Sequence, residues 1–356
     1  MTPVTNQFTS KRSGKAAILA LLAIVVIGTG VWFWLGRGSQ TQPISEVKIG
    51  YFANLSHAQA VLGVSSGEFQ AAVSPAMVKT KVFNAGPSLI EALSASEIDI
   101  GYVGPGPALA AHARSKGQGI RVIAGASANG VAIVARSGSG IEKIADLKGK
   151  RVATPQHGNT QDIAARHYLV HVLGQSGHDN VLPVPNAEQA GMMERGQIDA
   201  AWTPEPWASR LVAETGAKLI AEEKDLWPGG EFALAVVVTT PEFLRDHPDV
   251  VKQVLEVHRA WTARLTTDPQ KHAAALGDAL LQLGGKKLPA GVFQTALARV
   301  KFTNRPLEES FKTMAAWAFD LGFERQPTRM NQLFDLGLLT ELEAAGPAKE
   351  AVHGTH

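Results

Sequence analysis

Short polar side chains follow two strand-like segments of this chain at equivalent places. Ser56 and His57 come after the apolar segment 47–50, and Asn159 and Thr160 come after the segment 151–154. Serine, threonine and asparagine are the usual residues at helix starts, where the first backbone N–H groups have no partner within the helix. Such a start binds an oxyanion without an opposing full charge. The pattern therefore favours anion binding, although helix capping alone would explain the same residues.

Loops at the carboxyl ends of strands supply the rest of the candidate site, because ligands of parallel α/β sheets collect there. Gly104 is expected to let the backbone approach the ligand. His57 is expected either to donate to the anion or to be a solvated loop histidine. We expect Trp202 to form a wall of the cleft and Trp207 to lie in the core. The predicted ligand-binding residues are Asn54, Ser56, His57, Gly104, Pro105, Asn129, Gly158, Asn159, Thr160, Trp202 and Glu205.

Glu205 is the one carboxylate in this set, and it would repel an anion that lacked a positive group. It could meet the cationic end of a zwitterionic ligand, or it could pair with a protein cation such as Arg136 or Arg210. The sequence leaves both alternatives open. Asp99 and Asp199, in contrast, are expected to bind backbone N–H groups at turns.

An internal repeat indicates the elements that position these residues. Residues 84–107 and 186–206 both begin with Asn-Ala, continue through a short amphipathic segment to Ile-Asp, and end in Pro-x-Pro. Each follows a strand, a loop and a helix start. The unit in both halves is strand, helix, strand, which predicts a parallel sheet with right-handed crossovers.

Two crossovers are predicted to connect the halves: a pair of apolar strands within residues 120–135 and a single apolar strand at residues 232–238. The chain after Pro241 has a helical pattern at 248–266, 269–282, 290–300 and 307–321. We therefore predict an α/β protein of two lobes joined by two crossover strands, with a helical C-terminal region. The predicted first lobe comprises residues 46–128 and 237–356, and the second comprises residues 129–236.

Residues 16–35 form an uncharged apolar run long enough to span a bilayer. The basic segment 1–15 before it favours a cytoplasmic N-terminus. We expect residues 16–35 to be a retained anchor in the inner membrane rather than a cleaved signal peptide. Residues 36–45 are then a tether, and the rest of the chain lies on the extracytoplasmic face.

Composition excludes several classes of function. The 356 residues include no cysteine, which excludes disulfides, thiolate nucleophiles and cysteine-based metal sites. The formal net charge of +2 gives no basis for nucleic-acid binding. The 11 histidines do not form an HExxH motif. We expect no metal, no cofactor and a monomer.

Longer stretches of the chain resemble a known family. They are IDIGYVGP at 98–105, DLKGKRVATP at 146–155, GNTQD at 158–162, IDAAWTPEPW at 198–207 and LWPGGEF at 226–232. The sequence resembles the substrate-binding proteins of ABC importers, in the nitrate, sulfonate and taurine branch. The resemblance implies a type II periplasmic-binding-protein fold that closes on its ligand by hinge motion.

The same resemblance implies the function and its alternatives. The protein would capture a small organic anion, an alkyl or amino sulfonate before nitrate, and deliver it to a permease and its ATPase. One alternative is a binding protein for a thiamine-pyrimidine precursor, and another is a membrane-anchored sensor without transport. The related thiamine-pyrimidine synthases use a cysteine-rich motif that this chain lacks, so we predict a protein that is not an enzyme.

Overall fold

A computed structural model describes residues 1, 3, 44–284 and 287–347 of the chain. The chain divides into two compact units, Met1–Ile44 and Ser45–His356, and every element below belongs to the second. The predicted anchor at 16–35 and most of the tether lie outside the described residues. Within the described part, no helix is long and apolar enough to cross a membrane.

The first lobe is built on a six-stranded sheet with the strand order β11-β4-β10-β3-β1-β2. Strands β1 and β2, and β1 and β3, pair in parallel, whereas β10 is antiparallel to both of its neighbours and β11 is antiparallel to β4. The strands are β1 (Glu46–Phe52), β2 (Met77–Phe83), β3 (Ile100–Val103), β4 (Arg121–Asn129), β10 (Ala233–Thr239) and β11 (Val300–Phe302).

The second lobe is built on a five-stranded sheet with the order β7-β6-β8-β5-β9. Strand β6 pairs in parallel with β7 and with β8, and β5 is antiparallel to β8 and β9. The strands are β5 (Val131–Ala135), β6 (Val152–Thr154), β7 (Val181–Pro183), β8 (Ala200–Pro204) and β9 (Lys218–Glu222). The parallel strand–helix–strand units predicted from the repeat are confirmed in both sheets.

Helices connect the strands and continue to the C-terminal end of the described chain. They are α1 (Ala58–Ser65), α2 (Glu68–Val73), α3 (Gly86–Ser94), α4 (Pro105–Arg114), α5 (Thr160–His167), α6 (Asn186–Glu194), α7 (Trp207–Thr215), α8 (Pro241–Asp246), α9 (Pro248–Thr267), α10 (Ala273–Gln282), α11 (Ala290–Ala298), α12 (Glu308–Asp320) and α13 (Gly337–Ala344). The helical pattern predicted after Pro241 is confirmed. Helix α10 packs on α1 of the first lobe, and α12 contacts both α4 and α5.

The chain passes between the two sheets at two places. Strand β4 extends to Asn129 and β5 begins at Val131, so the chain changes sheets at Asn129 and Gly130, both of which have positive φ. The return is β10, whose residues are all buried, as expected for a strand covered on both faces. Because β10 belongs to the first sheet from Ala233, the predicted boundary at residue 237 falls inside that strand.

Candidate functional site

A small cavity of about 30 Å³ lies between the two lobes, at the carboxyl ends of strands from both sheets. Its walls carry hydroxyl, amide and imidazole groups but, among the described residues, no lysine, arginine, aspartate or glutamate. The polar lining residues are Asn54, Ser56, His57, Asn84, Asn159, Thr160, Gln161 and Asn186. The prediction had included Asn54, Ser56, His57, Gly104, Asn159 and Thr160, and the structure brings these residues together around the cavity.

Helix α5 begins at this cavity. The Asn159 side chain caps it by accepting the Asp162 N–H at 2.8 Å, which confirms the predicted helix start. Helix geometry leaves the N–H groups of Thr160 and Gln161 without intrahelical acceptors, and both residues line the cavity. The start of α3 lies at the same cavity through Ala85 and Gly86. The positive ends of two helices, one from each lobe, therefore meet at an uncharged cavity.

Helix α4 offers the cavity fewer backbone N–H donors than the sequence suggested. Pro105 and Pro107 have no N–H, so its first turn offers only the Gly106 N–H, which donates to Thr160 Oγ1 at 3.2 Å. Pro105 is thus a helix-start residue without a donor, which argues against its predicted ligand role. A Cβ on Gly104 would lie 2.3 Å from Thr160 Oγ1, so glycine is required where the lobes approach each other.

His57 is a buried, neutral donor, contrary to the alternative of a solvated loop histidine. Its side chain is 2% exposed, and burial lowers its pKa to about 3. The Phe52 N–H donates to its Nδ1 at 3.3 Å, which places the ring proton on Nε2. An N–H at this position can bind an anion without the cost of burying a charged imidazolium.

Glu205 does not line the cavity. It pairs with a protein cation, as one of the two alternatives predicted, but that cation is Arg299 and not Arg136 or Arg210. Its carboxylate is fully buried and accepts from Arg299 Nη1 at 2.7 Å, from Ser209 Oγ at 2.9 Å and from Ser209 N–H at 3.0 Å. Arg136 pairs with Asp199, and Arg210 pairs with Glu214. Since Arg299 precedes β11 of the first lobe and Glu205 follows β8 of the second, this ion pair joins the lobes.

The roles predicted for the two tryptophans are reversed. Trp202 is buried away from the cavity, where its Nε1–H donates to Glu223 at 2.6 Å. Trp207, expected in the core, donates its Nε1–H to Asn54 at 2.7 Å across the lobes. Two tryptophans five residues apart face different directions because a Pro-x-Pro turn separates them.

Glu223 lies between buried aromatic side chains, apart from the cavity, and accepts a hydrogen bond from one of them, Trp202. It is fully buried, it also accepts the Trp227 Nε1–H at 2.9 Å, and burial raises its pKa to about 7. His167 stacks on Trp317 nearby, and burial is the main cause that lowers its pKa to about 4. These side chains pack together in the interior beside the second connection between the sheets, and they do not line the cavity between the lobes.

Two further predicted site residues hold the backbone instead of facing the cavity. Asn129 has a φ of 59°, its N–H donates to Phe232 O at 3.0 Å, and its side chain accepts the Phe232 N–H at 3.3 Å. The Gly158 N–H donates to Asp162 at 2.9 Å. Asp99 and Asp199 accept backbone N–H groups from Lys48 and Arg151, which confirms the role expected for them.

Asn84, Gln161 and Asn186 also line the cavity, and none of them is among the residues predicted from the sequence. The repeat contained a signal for two of them, because Asn84 and Asn186 are the asparagines with which its two copies begin. Their equivalent positions after β2 and β7 bring them to the same cavity from opposite lobes. Asn186 Oδ1 also accepts from Thr203 Oγ1 at 2.9 Å, which fixes the amide.

Comparison with known proteins places this architecture in a family. The model of the NMT1-like family matches residues 40–277, more than half of the chain. The chain belongs to the NMT1-like family. This NMT1-like protein is 27% identical, over 251 residues, to a Bacillus subtilis (strain 168) protein named as an aliphatic sulfonates-binding protein. That match covers 68% of this chain and 72% of the relative.

A second relative is the taurine-binding periplasmic protein of Escherichia coli (strain K12), which is 28% identical over 184 residues. The match covers 50% of this chain and 54% of that protein, so it spans about half the length of each. The resemblance to the sulfonate and taurine branch is thereby confirmed.

Solved structures show the same fold. The alkanesulfonate-binding protein SsuA from Xanthomonas axonopodis pv. citri, bound to MOPS, has a TM-score of 0.69 at 23% identity, covering 82% of this chain and 98% of that one. The periplasmic nitrate-binding protein NrtA from Synechocystis PCC 6803 has a TM-score of 0.72 at 15% identity, covering 85% and 89%. The predicted two-lobed periplasmic-binding-protein fold is confirmed.

Proposed function

We propose that this NMT1-like protein is the extracytoplasmic solute-binding component of an ABC importer and captures a small organic anion between its lobes. The observation that carries the proposal is the uncharged cavity at which helix starts from both lobes meet. Neutral donors of this kind bind a permanently ionised group such as a sulfonate, which needs no cation beside it to remain an anion. The sulfonate and taurine names of the relatives support the same ligand class.

The ligand closes the cleft because both lobes supply its donors. Ser56, His57 and Asn84 belong to the first lobe, whereas Thr160, Gln161 and Asn186 belong to the second. An anion that binds both sets stabilises the closed arrangement by its differential affinity for it. The closed form is then presented to a permease and its ATPase. The protein acts as a monomer that binds without turnover, and residues 16–35 hold it to the inner membrane.

A thermal-shift screen tests the ligand class. We expect alkyl and amino sulfonates to raise the unfolding temperature more than nitrate, carboxylates or pyrimidines do. A ligand at about a hundred times its Kd adds about 2.7 kcal/mol to the unfolding free energy, which such a screen detects readily. Stabilisation by a pyrimidine alone would contradict the proposal and favour uptake of a thiamine precursor.

Replacing Thr160 tests the site itself. Thr160→Val keeps the shape of the side chain but removes the hydroxyl, so it should weaken sulfonate binding about ten- to a hundredfold through the loss of one charge-assisted hydrogen bond. Calorimetric titration measures the change. Thr160→Ser is the matched control and should bind nearly as tightly as the wild type. Because Asn159 rather than Thr160 caps α5, neither variant should lose helix-cap stability. Unchanged binding by Thr160→Val would contradict this site.

A further inference from the structure

The cleft between the lobes continues beyond the small cavity. Asn54 lines that cavity, and its neighbour Ala53 lines a second one of about 460 Å³. The partition between the two consists of contacts between the lobes: the Trp207 Nε1–H donates to Asn54 Oδ1 at 2.7 Å, and the Leu55 N–H donates to Glu205 O at 3.2 Å. Two cavities of one cleft are therefore separated by about the width of a residue.

The second cavity differs from the first in size and chemistry. Its apolar walls include Trp207 from α7 of the second lobe, Leu280 and Ala274 from α10, and Phe293 from α11. Three charged residues, Arg210, Asp278 and Lys287, also line it, and Arg210 already pairs with Glu214 at 3.0 Å and lies over the Trp207 ring. A small polar cavity beside a larger one whose walls are mostly apolar is the arrangement expected for an amphiphilic ligand.

We infer that the second cavity binds the apolar tail of the anion, so that the ligand class is alkyl sulfonates with several carbons rather than taurine-sized ones. This inference rests on the proposed function. The tail would replace the Trp207–Asn54 hydrogen bond, a neutral bond whose loss costs roughly fivefold in affinity. Each buried methylene contributes roughly a fourfold gain, so two of them more than offset that cost.

A third cavity, on the other side of the small one, is less suited to the tail. Its volume is about 180 Å³, less than half that of the second cavity, and its lining combines Leu109, Ala110 and Phe323 with the charged Arg114 and Glu324. The Gly106 N–H to Thr160 Oγ1 bond lies between it and the small cavity. Thr160 is part of the proposed head-group site, so a tail that took this path would disturb the donors that bind the sulfonate.

The test compares methanesulfonate, which has only the head group, with hexanesulfonate by calorimetric titration of the full-length chain. Wild type should bind hexanesulfonate at least about a hundredfold more tightly, since most of its five additional methylenes would be buried. Gly277→Leu fills the second cavity. A Cβ at Gly277 comes no closer than 3.8 Å to the Phe293 ring, so the side chain enters without a clash at its base. This variant should bind methanesulfonate as wild type does and lose most of the additional affinity for hexanesulfonate.

Ala110→Leu, which fills the third cavity in the same way, is the matched control and should keep the chain-length preference. Equal affinity of wild type for the two sulfonates would overturn the tail site while leaving the proposed function intact. The tail site would also be overturned if Gly277→Leu kept the full preference for hexanesulfonate over methanesulfonate, or if Ala110→Leu alone lost that preference. If neither sulfonate binds wild type, the proposed function fails, and the tail site fails with it.

Discussion

Replacing Arg299 with methionine is expected to weaken sulfonate binding by about a hundredfold. Arg299 is the cation that neutralises the fully buried Glu205, and its Nε also lies 3.3 Å from Glu222. Removing one partner of a buried ion pair costs about 3 to 5 kcal/mol, because the remaining charge is left without compensation. Since the pair joins the lobes, this cost falls on their closed arrangement rather than on the folding of either lobe. A smaller fraction of the molecules then has the lobes arranged to bind the ligand, and the apparent Kd rises in proportion.

Two variants separate this mechanism from a general loss of charge. Arg136→Met also removes an arginine, but its partner Asp199 lies in the same lobe and still pairs with Arg151, so binding should remain near the wild-type value. Combining Glu205→Gln with Arg299→Met removes the uncompensated charge and should recover part of the affinity. Small-angle scattering without ligand should give a larger radius of gyration for Arg299→Met than for wild type. The same radius and the same affinity would contradict the role of this pair.

Replacing Glu223 with glutamine is expected to change how stability depends on pH. The pKa of this carboxyl is raised from 4.5 to about 7 in the folded protein because the group is buried. Below the pKa of the unfolded state, 4.5, the carboxyl is protonated in both states, so its burial carries no cost of burying a charge. As the pH rises towards 7, the unfolded chain loses the proton first, and above 7 the folded protein holds a buried charge. Wild type should therefore lose roughly 2.5 kcal/mol of unfolding free energy between about pH 5 and pH 8 relative to Glu223→Gln.

Urea unfolding of both proteins at the two pH values measures this difference. Glutamine stays neutral at every pH. Its NH2 group cannot accept one of the two tryptophan N–H groups, but that loss does not depend on pH, so the change of the stability difference with pH reports the carboxyl. Other buried groups, including His167 with its lowered pKa, act in the opposite direction at acid pH, but they are present in both proteins and cancel in the comparison. A constant difference in stability from pH 5 to pH 8 would contradict the assignment of a raised pKa to Glu223.

Local interactions were predictable from the sequence because both partners lie close together in the chain. The cap of α5 joins Asn159 to Asp162, and the pattern of strand, helix and strand needs only neighbouring residues and the rule for crossovers. The buried strand β10 was likewise indicated by its continuous apolar run. These elements are sufficient to bring Ser56, His57 and Thr160 to one cavity.

Interactions between distant segments were not predictable in this way. Glu205 pairs with a residue 94 positions away, and the choice of Arg299 over Arg136 depends on how α11 and β11 return to the first sheet. The directions of Trp202 and Trp207 depend on the path of the chain through the Pro-x-Pro turn between them. Spacing alone carries no information on either point.

The paired bonds between Asn129 and Phe232 have a mechanical consequence. The chain leaves the first sheet at Asn129 and returns to it at Phe232, and these residues are hydrogen-bonded to each other at 3.0 and 3.3 Å. Both connections between the sheets therefore lie at one hinge. This shared connection lets one sheet rotate relative to the other but limits sliding, and α12 adds to it by packing on both α4 and α5. When such a rotation opens the cleft, each part of the second lobe moves in proportion to its distance from that hinge. Under the proposed function, atoms at the outer rim of the cleft would travel farthest and admit the solute there, while the register of the two sheets near Asn129 is preserved.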